Sequence, residues 1–310
     1  MDQRQDRILA NIIKSTHAEL RQKIRQCPAG DQDHQLEVWN QHVQSLQHSK
    51  TYSKAMKELS NEYWTNQARL QWLSDKLNLY FVEQDYQRFI SRLHRRKQQE
   101  IESSQDSTEK GTTTEFYHST MPFSVLDVGS CHNPLQNCIK NRDRFKITAL
   151  DLSPACPTVY QGDFIQIPLS NDSQDDDLKS LPKQSYDAVI FCLLLEYLPS
   201  PQLRLKAVQK AFEILKPFGL LLIVTPDSSH QGKNMKQMKS WRLAMAKLSF
   251  LRIYIEKLKH VHCIGYVKVE PKDMFTHVLH MEVELIKKKL SSDEVKSLEN
   301  AFYIPQDEKG

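Results

Sequence analysis

The sequence predicts an α/β protein: a doubly wound, mostly parallel sheet fronted by an amino-terminal, all-α helical module. Three observations predict it. From residue 1 to 101 apolar residues recur at steps of three and four, with a single proline and a single glycine, Pro28 and Gly30. Beyond residue 121 the pattern changes to short β-branched apolar runs that alternate with helical segments. Between the two, ESSQDSTEKGTTTEFYHST is Ser, Thr and charge. The division that follows is a helical module over 1–101, a mobile linker over 102–120 and a ligand-binding α/β domain over 121–310.

In the helical module, Leu9, Ile13, Leu20 and Ile24 put one apolar stripe on a first helix around Ile8 to Ile24, which CPAGD then breaks. Leu36, Trp39, Val43 and Leu46 repeat the spacing. After a break near Ser49, Tyr52, Met56, Leu59, Tyr63, Leu70, Leu73, Leu77 and Tyr80 continue it. A coiled-coil seam or a bundle packed on the rest of the chain would both produce such a stripe. Bulky, partly polar Tyr52, Tyr63, Trp64, Trp72, Tyr80 and Phe81 suit the edge of a pocket better than a regular seam. Helices so placed are expected to close over a ligand.

Downstream, SVLDVG, KITALDL, TVYQGDF, YDAVIFCLLL and GLLLIVTPD read as strands, and LRLKAVQKAFEIL as a helix with Leu203, Ala207, Ala211, Ile214 and Leu215 on one face. Near-continuous apolar strands separated by helices mean a parallel sheet covered on both faces. Its ligand site belongs outside the carboxyl ends of the strands, where the strand order reverses.

Charge is nearly balanced, 42 Lys and Arg against 38 Asp and Glu, which does not suggest an obligate nucleic-acid binder. The balance hides a basic stretch over 203–260 and an acidic one over 160–187, read as a solvated helix face and a mobile loop. The six cysteines form no CxxC pair and no zinc-finger spacing, so free thiols and no metal site are expected. A polar start, MDQRQDRILANIIK, and the lack of any long uncharged apolar run predict a soluble, cytoplasmic protein with no membrane span.

The stretch FSVLDVGSCHNPL carries the first site signal. An apolar strand reaches Asp127 and Val128, and Gly129 allows the sharp turn and close backbone approach that a ligand needs. Ser130, Cys131, His132 and Asn133 then stand where a pyrophosphate loop would have further glycines, so a dinucleotide or triphosphate fits poorly. A helix is expected to begin at Asn133 and Pro134 with its positive end toward the ligand. Asp151 ends the second strand 22 residues after Gly129, close to the spacing of roughly 20 at which a carboxylate binds ribose hydroxyls. Asp163, with Phe164 beside it, offers an acceptor for an adenine amine and a ring for its face.

LDVG, the terminal Asp of strand two, GDFIQIP and LKPFGLLLIVTPD together resemble the class I S-adenosylmethionine-dependent methyltransferases, a Rossmann-like fold. The versions DVGSCxNP, FCLLLEYLPSPxxR, GLLLIVTPDSSHQ and YIPQD are similar to those of the S-adenosylmethionine sensors that act upstream of the mTOR kinase complex. They are also similar to those of fungal relatives that are large-subunit ribosomal RNA adenine methyltransferases. The resemblance implies S-adenosylmethionine as ligand, with S-adenosylhomocysteine competing, and GATOR and KICSTOR complexes as partners, through which association with the lysosome surface would arise. The cofactor-binding set is expected to be Asp127, Gly129, Ser130, Cys131, Asp151, Leu152, Asp163, Phe164, Cys192 and Leu193.

No catalytic residue is assignable. Where base-amine methyltransferases commonly carry [DN]PP[YF], this chain reads FCLLLEYLPS, with no acceptor before Glu196 and Tyr197. Cys192 as a nucleophile competes with an inert buried cysteine. Asp227, Ser228, Ser229 and His230 could orient a substrate or cap the following helix. The sequence therefore points to a metabolite sensor working through protein partners, with an RNA adenine methyltransferase as the alternative reading.

Overall fold

The computed structural model describes residues 3–28, 30–60, 67–103, 121–172, 177–227, 231–270, 275–291 and 295–307. The expected linker, apart from its first two residues, lies outside them, as do Tyr63, Trp64 and the Ser228–His230 run. Five helices come first: α1 (Gln3–Gln26), α2 (Gln32–Ser49), α3 (Thr51–Glu58), α4 (Ala68–Leu77), which runs on as a π-helical turn to Val82, and α5 (Asp85–Ser103). Asp31 caps α2 by accepting from the His34 amide, and the left-handed Lys50 turns α2 into α3.

The α/β part then runs β1 (Phe123–Val128), α6 (Leu135–Cys138), β2 (Phe145–Asp151), β3 (Tyr160–Gln161), β4 (Leu169–Ser170), β5 (Leu181–Pro182) and β6 (Tyr186–Cys192). It continues as α7 (Pro201–Ile214), β7 (Leu215–Pro226), α8 (Gln231–Lys247), β8 (Phe250–Leu258), β9 (Val261–Lys268), α9 (Thr276–Lys287) and α10 (Leu298–Ala301). Seven strands form one sheet in the order β3-β2-β1-β6-β7-β9-β8. β1 is parallel to β2 and β6, and β6 to β7, while β9 is antiparallel to both β7 and β8. The doubly wound, mostly parallel sheet is as expected. The β8–β9 hairpin was not read from the sequence, and TVYQGDF contributes only two strand residues.

Two apolar layers sandwich the sheet. On one face α7, α8 and part of the helical module pack in a core that includes Trp39, Val43, Leu46, Phe191, Ile223 and Trp241. On the other, Leu70, Leu73, Leu77, Tyr80 and Phe81 of α4 and its π turn pack with Phe123, Phe145 and Phe218. The stripe from Leu70 to Tyr80 is thus sheet core. Its position is tied by the fully buried Tyr80, whose hydroxyl donates to the Phe218 carbonyl at 2.8 Å.

Charges that look exposed in the sequence are used internally. Asp187, grouped with the acidic loop by its sequence position, is fully buried, accepts from the Ser124 amide at 2.7 Å and pairs with Lys216 at 2.9 Å. Removing a buried partner leaves a desolvated charge unpaired. Asp187→Ala should therefore lower the unfolding free energy by about 3 kcal/mol, read as a shifted urea midpoint at an unchanged slope.

Candidate functional site

Strand order reverses between β1 and β6, and a cavity opens there at the carboxyl ends of β1, β2 and β6. All ten residues named from the sequence, from Asp127 to Leu193, line it. So do Trp39 from α2, Tyr52 and Met56 from α3, Arg69 from α4, His132, and Tyr197. The sequence placed Tyr52 at the edge of a pocket and His132 in the first loop; Trp39, Met56, Arg69 and Tyr197 were not assigned to the site, because a stripe or a loop position does not say what it covers. The aromatic enrichment of the module was the available signal.

The first loop solves the missing-glycine problem by using side-chain-bearing residues in the left-handed region. Gly129 has φ +76, and a Cβ there would meet Leu194 Cδ1 at 3.2 Å. Cys131 and Asn133 also have positive φ, 55 and 57. Asparagine tolerates this conformation. Cys131 is held in it by its amide, which donates to Asp151 Oδ2 at 2.9 Å, and by its carbonyl, which accepts from Ala155 at 2.8 Å. The helix expected to begin at Asn133 and Pro134 is a single turn, Leu135–Cys138, on the sheet face that α4 also covers. A dipole-based ligand contact at that point has no support in so short a helix.

Three carboxylates face the cavity. Asp127 accepts from Ser130 Oγ at 2.7 Å, and burial pushes it up to about 6 against that hydrogen bond. Asp151 is raised by burial, opposed by the amides of Ser153 and Cys131, which bond one oxygen each. Asp163 accepts from the Ile165 amide at 2.8 Å through one oxygen and from Trp39 Nε1 at 2.7 Å through the other. Phe164 stands edge-on to Phe191, and its loop is pinned by Lys210, whose ammonium donates to the carbonyls of Phe164, Ile165 and Ile167.

Helices α1 to α3 roof the site through an aromatic cluster around Tyr197. His42 Nε2 lies 2.5 Å from the Tyr197 hydroxyl, His17 Nε2 lies 2.9 Å from that of Tyr52, and the Tyr52 and Tyr197 rings are 5.4 Å apart. Burial lowers both histidines to about 4, so both are neutral near pH 7.

Of the catalytic candidates read from the sequence, Cys192 and Asp227 are described, and Ser228–His230 lie outside the described residues. Burial holds the Cys192 thiol up at about 12, far from a thiolate nucleophile. Asp227 does not line the cavity; it pairs with Lys257 and His262 and accepts from the Asn234 side chain of α8. The basic 203–260 stretch is not one surface either. Arg204 is fully buried, Lys210 caps carbonyls, and Lys216, Arg242 and Lys257 pair with Asp187, Glu282 and Asp227.

The profile of a methyltransferase-domain family matches residues 79–257. Proteins described as S-adenosylmethionine sensor upstream of mTORC1 are similar over most of their length. That of Danio rerio is 32% identical over 286 residues, covering 85% of this chain and 70% of the relative. That of Xenopus tropicalis is 32% identical over 290 residues with the same coverage. The chain belongs to the methyltransferase-domain family and to the family of these sensors. The 286 aligned residues exceed the span 79–257, so the sensor family's likeness reaches segments outside the methyltransferase domain. Among solved structures, a Burkholderia thailandensis 1,6-didemethyltoxoflavin-N1-methyltransferase bears a distant likeness, with 12% identity, TM-score 0.44, and coverage of 79% of this chain and 93% of that one. No described helix is long and apolar enough to cross a membrane.

Beside the cavity, Glu196 is buried with one oxygen accepting from Thr225 and the other without a partner. Burial raises it to about 7, with Thr225 and the charges of Arg204 and Arg21 opposing only in part. The folded chain keeps this proton where the unfolded chain has lost it. Its contribution to stability therefore falls as pH rises from about 4.5 to about 7 and is constant above. Glu196→Gln should unfold close to wild type at pH 5 and be more stable at pH 8, by up to about 3 kcal/mol. An equal offset at both pH values in thermal melts would exclude ionisation as its cause.

Proposed function

We propose that this protein binds S-adenosylmethionine in the cavity between β1 and β6 and uses its occupancy to change protein contacts in TOR kinase signalling. The observation that carries the reading is the donor set. A cationic amino-acid nucleoside has a diol, an exocyclic amine, an ammonium, a carboxylate and apolar carbons, and the cavity offers groups suited to each. Asp151 has lone pairs left for the ribose diol after its two amide bonds. Asp163 and Phe164 suit the adenine, Asp127 with the Ser130–His132 backbone the ammonium, and Arg69 the carboxylate. Leu152, Leu193 and Cys192 supply apolar wall. The loop shape also favours a ligand without phosphates. S-adenosylhomocysteine shares all but the charged methyl and would compete.

Sensing follows from the roof. Occupancy shifts a partner equilibrium only if bound and free forms differ in partner affinity. Asp163 links the cavity floor to Trp39 on α2, and Tyr197 links its wall to His42 and Tyr52. A ligand touching these residues therefore bears directly on how α1 to α3 are held. The family's likeness to sensors upstream of mTORC1 supports this role, and GATOR- and KICSTOR-type complexes are the partners we propose on the resemblance of the motifs.

Asp151→Ala should weaken S-adenosylmethionine binding tenfold to a hundredfold in calorimetry while the melting curve stays cooperative, since a charged hydrogen-bond partner contributes about 1.5–3 kcal/mol. An unchanged affinity would refute the ribose assignment. Wild-type affinity is expected in the micromolar range, on the order of 8 kcal/mol. In the same preparation, ligand should slow hydrogen exchange over 32–58, and exchange indifferent to ligand would exclude a roof that responds to occupancy.

A further inference from the structure

Two motifs that the site does not absorb, LPSPQLR and YIPQD, meet in one buried cluster. In the first, Ser200 caps α7 by accepting from the Leu203 amide, Pro201 takes the first helical position, and Arg204 one turn on is fully buried. Its guanidinium turns back toward the loop that leaves β6. Nε donates to the carbonyls of Leu195 and Leu198 at 2.8 and 3.0 Å, and Nη2 to Leu198 at 2.7 Å. The other side of the fork meets Asp307, with Nη1 to Oδ2 at 2.6 Å and Nη2 to Oδ1 at 2.9 Å, and Nη1 also reaches the Phe302 carbonyl at 3.0 Å. Asp307 closes its own turn by accepting from the Ile304 amide at 2.9 Å.

The loop gripped this way carries Leu193, Leu194, Tyr197 and Leu198, all of which line the cavity. Helix α1 rests on the same assembly. Arg21 donates to the Glu196 carbonyl at 2.5 Å and Arg25 to the Gln306 carbonyl at 3.2 Å. The segment 302–307 is fastened from behind as well, by Trp241 Nε1 donating to the Tyr303 carbonyl at 2.9 Å. A fully desolvated guanidinium needs a charged partner and filled donor positions. Without the Asp307 carboxylate the fork has no reason to stay where it holds both Leu195 and Leu198.

We propose that Asp307 is a positioning residue for the cavity: through Arg204 it sets the 193–198 wall and the seat of α1, so that the segment 302–307 controls how tightly ligand is held. This rests on the reading that the cavity holds S-adenosylmethionine. Asp307→Asn keeps the side-chain shape and loses the charge, and Arg204→Lys keeps the buried charge and loses the fork. Tyr80→Phe, on the far face of the sheet, serves as a destabilised control.

Two readings on the full chain, well below the melting temperature, test the proposal. Without ligand, both cluster variants should speed hydrogen exchange at amides 193–200 and along α1 by at least about tenfold, and Tyr80→Phe should not. In calorimetry with S-adenosylmethionine, both should bind about tenfold more weakly than wild type, with Tyr80→Phe unchanged. Variants that melt earlier, yet leave exchange at 193–200 and affinity at wild-type values, would reduce the cluster to a structural clamp and overturn the proposal. Faster exchange in a protein whose wild type binds no S-adenosylmethionine would leave the positioning intact and sink the ligand reading. Should Asp307→Asn not yield folded protein, Arg204→Lys decides by the same two readings.

Discussion

The hydrogen bond from the Trp39 indole to Asp163 is the constraint on which the rest of the site depends. Asp163 sits at the floor of the cavity, 9% exposed, so its carboxylate must be satisfied by protein donors. Backbone supplies one, at Ile165, and the side chains of Gln166 and of Trp39 on helix α2 supply the others. That requirement draws a residue 124 positions away onto the cavity and brings α1 to α3 over the carboxyl ends of the strands. Two neutral histidines and two tyrosines then fill the gap as an aromatic cluster, because a charged group there would be desolvated.

The same rule explains why the apparent electrostatics of the chain are misleading. A stretch rich in Lys and Arg suggests a polyanion surface; some of its residues have internal tasks, while Lys206, Lys236, Lys247, Lys257 and Lys259 are exposed. Arg204 grips a loop, Lys210 caps three carbonyls, and Lys216 neutralises a fully buried aspartate.

Apolar walls and hydrogen-bonded acids give the cavity the means to hold a ligand. Asp227, the acid at the end of β7, is held by three neighbours and lies away from the cavity lining. Cys192 is a half-buried thiol on the cavity wall, held protonated by desolvation. The cavity also carries carboxylates arranged as hydrogen-bond acceptors, a guanidinium, backbone, and the side chains of His132, Tyr52, Tyr197 and Ser130.

By itself the sequence determined the alternation of strands and helices, the position of a cavity at the strand ends, and the residues that line it at the ends of the first strands and in the loops after them. Those signals are local: a run of apolar residues, a glycine at a turn, an acid after a strand. It also carried the motifs LPSPQLR and YIPQD without any hint that they touch. Only the tertiary structure decided that Arg204 and Asp307 share one buried ion pair, that the stripe from Leu70 to Tyr80 covers the sheet, and that Trp39, Tyr52 and Arg69 belong to the cavity. The β8–β9 hairpin was equally hidden, since LRIYIEKL and VHCIGYVK mix charge with apolar residues as an edge strand and its neighbour do. Periodicity reports which face of an element is buried; what buries it is settled by contacts between residues far apart in the chain.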